Sequence, residues 1–151
     1  MAEARLNHSK LSVRTGRREA VHALLSREQI DQLVENFYEK IQNDPRLGAI
    51  FKQRIDAASK GDWRPHLAKM KKFWASVLLK SGEYKGQPVV VHNGIAELRE
   101  TDFKRWLALF RESVDAVIVE DARPVVIESA RRIAQSLYLA RFGNAGTTPP
   151  F

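Results

Sequence analysis

Cysteine is absent from this 151-residue chain. That excludes disulfides, iron–sulfur clusters and zinc–thiolate sites. Four histidines, His8, His22, His66 and His92, are left as the strong metal ligands. No G-x-G-x-x-G is present, so the chain lacks the dinucleotide fingerprint. No apolar run reaches the roughly 18–20 residues of a membrane span. The first 25 residues do not read as a secretory signal, because His22 breaks their longest apolar stretch and charges are scattered through them. A soluble, cytoplasmic protein is expected, with no membrane partner.

What remains is an ordinary globular composition, 44% hydrophobic and 28% charged, at a length that suits one domain with a single core. The net charge of +7 admits an anionic partner, although a solvated basic surface is its ordinary reading. A haem-free basic helical module binding nucleic acid is one candidate function, but no reading motif accompanies the charge, so no nucleic-acid partner is expected.

The chain divides into a basic N-terminal arm (1–25), a helical body (26–142) and a tail with two glycines and two prolines (143–151) that is expected to fray. In the body, helical periodicity is strong and strand alternation is nearly absent. Ser26 and Gln29 have the spacing of a capping box ahead of Ile30, Leu33, Val34, Phe37 and Ile41, and Asn43-Asp44-Pro45 should end that helix. A short segment, 47–55, follows. Asp62 should cap a helix with Trp63, Leu67, Met70, Trp74, Val77 and Leu78 on its apolar face, stopped by Ser81-Gly82. Thr101 should cap a third long helix, and Asp121 should start a last one that Gly143 ends. Four amphipathic helices burying four stripes give an all-α packing.

Three features stand apart from ordinary core. His66 lies at the edge of an apolar helical face, one turn before Met70. His92 follows the run Val89–Val91 in a connection rather than in a long helix. Tyr38 and Trp106 carry polar groups close to apolar stripes, and a buried Tyr or Trp usually finds a partner for its O–H or N–H. Taken singly, each has a plain alternative. A lone histidine beside an apolar face is more often a satisfied core or rim residue, and Phe51, Phe73, Trp74 and Trp106 alone are core bulk.

Together these residues follow a pattern. The segments FYEKIQNDPRLGAIF (37–51), WRPHLAKMKKFWASVLLKSGEYKGQP (63–88), His92 and FKRWLALF (103–110) resemble, in order and spacing, the truncated haemoglobins, most closely their group III. The likeness runs from Ile30 to Tyr138, about two-thirds to three-quarters of the chain. It implies an all-α truncated globin, a two-over-two helical sandwich around haem b. Without C-x-x-C-H the haem would be held non-covalently. The resemblance makes His92 the proximal iron ligand, Tyr38 the distal tyrosine of the B helix, His66 the distal histidine of the E helix and Trp106 the distal tryptophan of the G helix. Phe51 matches the phenylalanine that stacks on the haem. Met70 falls against the haem face, and Phe73 and Trp74 match aromatic packing beside it. Tyr84, Lys85, Arg99 and Arg105 are candidate propionate partners, with surface exposure as their ordinary reading.

The implied chemistry is coherent. A neutral imidazole is a good axial donor to ferrous iron, and O–H and N–H donors in a dry pocket favour a diatomic ligand that gains negative charge. At about 1–3 kcal/mol per hydrogen bond, Tyr38 and Trp106 together would slow O₂ release roughly a hundredfold. That suits storage, sensing or redox chemistry better than carriage. His66 has three readings: a ligand donor, an iron ligand in the absence of gas, or a gate, with gate or weak donor favoured. O₂, CO and NO are the expected small ligands. Nitric oxide dioxygenase, peroxidase or nitrite chemistry is open to the site and would need an external reductase. A haem-based gas or redox sensor acting through the N-terminal arm is the alternative function. A monomer or weak dimer is expected.

Overall fold

Among the described residues this pattern forms five α-helices and no strand. The structure is a computed structural model, and it describes residues 24–86, 95, 97–144 and 146–151. Most of the N-terminal arm and the segment that carries Val89–Val91 and His92 lie outside them. The helices are α1 (Arg27–Asn43), α2 (Pro45–Ser59), α3 (Arg64–Leu79), α4 (Glu100–Val117) and α5 (Arg123–Phe142), with a 3-10 turn at Glu120–Ala122 ahead of α5. Among the described residues, no helix is long and apolar enough to cross a membrane.

Helix ends obey local chemistry, with some departures from expectation. The Ser26 hydroxyl accepts from the Gln29 amide at 3.1 Å, as its spacing predicts. The reciprocal half of the capping box does not form, because the Gln29 side-chain amide donates to the Leu24 carbonyl instead, at 3.4 Å. The segment expected at 47–55 is a full helix, α2. Its start is set by Asp44, whose carboxylate accepts from the Leu47 amide at 3.0 Å, with Pro45 in the first turn where its missing N–H costs nothing. Gly48 is required where α1 turns into α2, since a Cβ there would lie 2.9 Å from the carbonyl oxygens of both Ile41 and Gln42.

Asp62 accepts from the Arg64 amide at 3.0 Å and so meets the first orphan donor of α3. That helix ends at Lys80, with φ of 56°, just before the expected Ser81-Gly82 stop. Thr101 does not cap α4, which begins one residue earlier. Asp102 does the work, its carboxylate accepting from the Arg99 amide at 2.9 Å. The expected start of the last helix at Asp121 is taken by the 3-10 turn, so α5 begins at Arg123 with Pro124 in its first turn.

Packing follows the apolar stripes. α1 lies against α3 and α4 against α5, and the contact of α1 with α4 joins the two pairs, while α2 leans on α1. Phe37, Ile30, Leu33 and Ile41 from α1 meet Trp74 and Leu78 of α3 and Phe110 and Val114 of α4 in the main core. Each large side chain fully buried here stabilises the fold by about 1.5–3 kcal/mol. Two ion pairs pin the α1–α2 corner to α4. Arg105 reaches the buried Asp44 at 2.8 Å, and Arg46 grips both oxygens of the buried Asp102 at 3.0 Å while also donating to the Glu97 carbonyl at 2.6 Å. Within the tail, Phe151 folds back on α4 and α5.

Candidate functional site

Tyr38 is on the buried face of α1, in the heptad-like run that also buries Val34, Phe37 and Ile41. Its ring stands edge-on to the His66 imidazole of α3 at 4.9 Å between centroids, and edge-on to Phe51 of α2 at 5.8 Å. Burial pushes the phenol pKa up, so the hydroxyl is protonated at neutral pH and available as a donor. Phe51 also meets His66 at 5.8 Å, and Trp63 completes the group, 6.3 Å from both Phe51 and His66. Three helices, with Trp63 at the start of the third, thus bring a phenol, an imidazole and two aromatic rings together from the stretch 38–66.

Trp106 enters from α4. It does not touch Tyr38 directly, but both lie against Phe37, at 5.4 Å and 5.1 Å. Behind Trp106 stand Phe110 at 5.5 Å and Trp74 at 6.5 Å, both stacked on it. Trp74 is only 2% exposed and stacks on Phe110 at 4.8 Å, so it supports Trp106 from within the core. Phe73 stays half-buried on the other side of Trp74, where Tyr84 meets its ring edge-on at 5.0 Å. A hydrogen bond from the Tyr84 amide to the Ser76 hydroxyl at 2.9 Å holds that connection.

The remaining candidates separate. Met70 is half-buried against the core one turn beyond His66. Lys85 and Arg99 are exposed. Arg105 is engaged by Asp44, away from the ring cluster. Burial alone would raise the Asp44 pKa, but the Leu47 amide and the Arg105 guanidinium outweigh it and lower it, which keeps the pair charged. His92 lies outside the described residues.

Phe51, Trp63, Leu67, Met70, Phe73, Trp106 and Leu107 are all packed against the core yet only partly buried. Each therefore keeps apolar surface beyond the protein core, and of these Phe51 and Trp63 stand against the Tyr38 phenol. Such a set fits a flat apolar macrocycle with a polar ligand at its centre.

No family model matches the chain. It is 38% identical over 110 residues to the group 3 truncated hemoglobin ctb of Campylobacter jejuni, a match covering 73% of this chain and 86% of the relative. The chain belongs to the group III truncated haemoglobins. The crystal structure of group III truncated hemoglobin from Campylobacter jejuni matches it with a TM-score of 0.73 at 35% identity, over 82% of this chain and 96% of that one.

For a group III truncated haemoglobin, the two helix pairs described above are the expected two-over-two sandwich. Membership supports a globin-type haem-binding function. Two residues of this truncated haemoglobin escaped the sequence reading as site residues. Phe37, buried between Tyr38 and Trp106, reads as plain core, and Trp63 reads as a mark of the family and part of the α3 apolar face rather than as a site residue. The position of Trp63, three residues before His66, was the available signal.

Proposed function

We propose that the protein holds one haem b through the imidazole of His92 and takes O₂, CO or NO on the opposite side, beneath Tyr38 and Trp106. The observation that carries this reading is the buried, protonated Tyr38 phenol in ring contact with His66 and Phe51, with Trp106 a single ring away across Phe37. Phe51, Met70, Phe73 and Leu107 would supply apolar walls for the macrocycle, and Tyr84 and Arg99 are the candidates for its carboxylates. Arg105 is left out of that role because Asp44 already holds it.

When bound, the haem would be held by His92 and would supply an iron able to take up a diatomic ligand. The chain's own part is positioning. Tyr38 Oη–H and Trp106 Nε1–H are rigidly packed donors, and a donor that needs no reorganisation is worth more in a dry site than in water. The half-buried aromatic walls exclude water from that ligand. His66, in ring contact with Tyr38, Phe51 and Trp63, is assigned control of entry. Two donors favour retention of the ligand, which suits its redox conversion, with electrons from an external reductase, better than its transport.

Absorption spectra of haem-reconstituted protein test this directly. Oxidised, reduced and CO-treated samples should each show a strong Soret band, shifted between states. Protein purified from haem-replete expression with no Soret band, or with a band that CO does not shift after reduction, would overturn the reading.

A further inference from the structure

The tail carries one large apolar side chain, Phe151, and the fold gives it a built seat. Asn144 and Thr147 turn the chain back, the Thr147 amide donating to the Asn144 carbonyl at 3.0 Å and the Asn144 amide to the Thr147 hydroxyl at 2.8 Å. Gly146, at φ of 86°, supplies the left-handed step. Pro149 and Pro150 then restrict the backbone, so little entropy is lost in presenting the ring. The Gln135 side-chain amide of α5 donates to the Phe151 carbonyl at 2.7 Å. The Phe151 ring lies nearly parallel to Phe103 of α4, at 6.1 Å and 15°, and edge-on to Tyr138 of α5 at 5.5 Å.

Phe103 is buried together with Ala134 and Leu137 in a second cluster, separate from the main core. Trp106 and Leu107, one turn along α4 from Phe103, pack on both clusters. Whatever fixes Phe103 therefore fixes the stretch of α4 that presents the indole. A hydrogen-bond donor at a ligand site works only when held to about half an ångström.

We infer that Phe151 is a positioning residue for Trp106: stacked on Phe103, it clamps the first turns of α4 to α5 and so holds the indole N–H on the bound ligand. The inference rests on the ligand role proposed for Trp106. It gives the segment 146–151 a part in tuning ligand release, although it contributes nothing to the pocket itself.

The test uses the full haem-loaded chain in four forms: wild type, Phe151→Ala, Trp106→Phe and the double variant. Phe151→Ala should raise the O₂ dissociation rate about threefold, the low end for residues coupled through shared packing. It should also move the carbonyl stretching band of the CO complex toward that of Trp106→Phe, and speed amide exchange at residues 103–107. In the Trp106→Phe background it should raise dissociation no further, and Phe151→Leu should restore most of the wild-type behaviour. An equal effect with and without Trp106, or an unmoved carbonyl band, would overturn the inference while leaving the proposed function standing. If Trp106→Phe alone leaves dissociation unchanged, the ligand role of Trp106 fails and this inference fails with it. Should Phe151→Ala not fold, Gln135→Ala, which removes only the tail's hydrogen bond, carries the same comparison.

Discussion

The Tyr38 phenol and the His66 imidazole meet edge to face, 4.9 Å between ring centroids, at the place where α1 crosses α3. One is buried in the core and the other half-buried at its edge, so the pair spans the distance from protein interior to pocket entrance. In the proposed function the phenol is the ligand's donor and the imidazole its gate. Trp106, backed by Trp74 and Phe110, is the second donor proposed, from the opposite helix pair.

Tyr38→Phe and Trp106→Phe should both retain haem and raise the O₂ dissociation rate. At about 1–3 kcal/mol per hydrogen bond to a charged acceptor, each loss is worth on the order of tenfold. Stopped-flow displacement of O₂ by CO measures it, and unchanged rates in both variants would remove these residues from the ligand site.

His66→Ala should speed ligand entry with little loss of haem, because removing the imidazole opens the space between Tyr38, Phe51 and Trp63 while the proposed anchor is elsewhere. Recombination of CO after flash photolysis gives the bimolecular rate. Slower entry in the variant contradicts the gate.

Burial raises the Tyr38 pKa, so its donor persists well into alkaline solution. A group whose folded pKa is raised stabilises the fold fully below its unfolded value, about 10 for tyrosine, and that stability is lost as pH climbs past it. The O₂ dissociation rate should accordingly be level between pH 6 and pH 9, as far as Tyr38 governs it, and stability should begin to fall above about pH 10. A step in dissociation near neutrality that disappears in Tyr38→Phe would contradict this.

Asp102 shows the opposite sign. Burial acts to raise its pKa, but hydrogen bonds from Arg46 and the Arg99 amide prevail and lower it. Its stabilising contribution is present above the unfolded value, about 4, and disappears as pH falls through the lower folded value. Asp102→Ala should cost roughly 1–3 kcal/mol at pH 7, the usual loss for charge-assisted hydrogen bonds, and a smaller amount at pH 3. Urea unfolding at the two pH values checks it, and an equal cost at both would show that ionisation of Asp102 is irrelevant to the fold.

The helices and their faces were legible because period and caps agree: Ser26, Asp62 and Asn43-Asp44-Pro45 all act at the ends where their chemistry places them. Errors arose where tertiary partners decide. Thr101 lost the cap of α4 to Asp102 because Arg46, 56 residues away, anchors that carboxylate. The α2 helix runs past its apolar segment because Asp44 starts it early and Lys60 ends it late. Tyr38, His66, Phe51 and Trp106 were readable as a group through the family pattern. Arg105 resembled a propionate partner by charge alone, and only the fold reveals that Asp44 holds it. The seat of Phe151 had no local signal, since proline and glycine around it read as a frayed end.

The anchoring role of position 92 is open to chemical rescue. His92→Gly, mixed with ferrous haem, should fail to give the spectrum of an imidazole-ligated, CO-binding haem protein, and free imidazole should restore it. A variant that binds haem with the wild-type spectrum and no added imidazole would contradict the account.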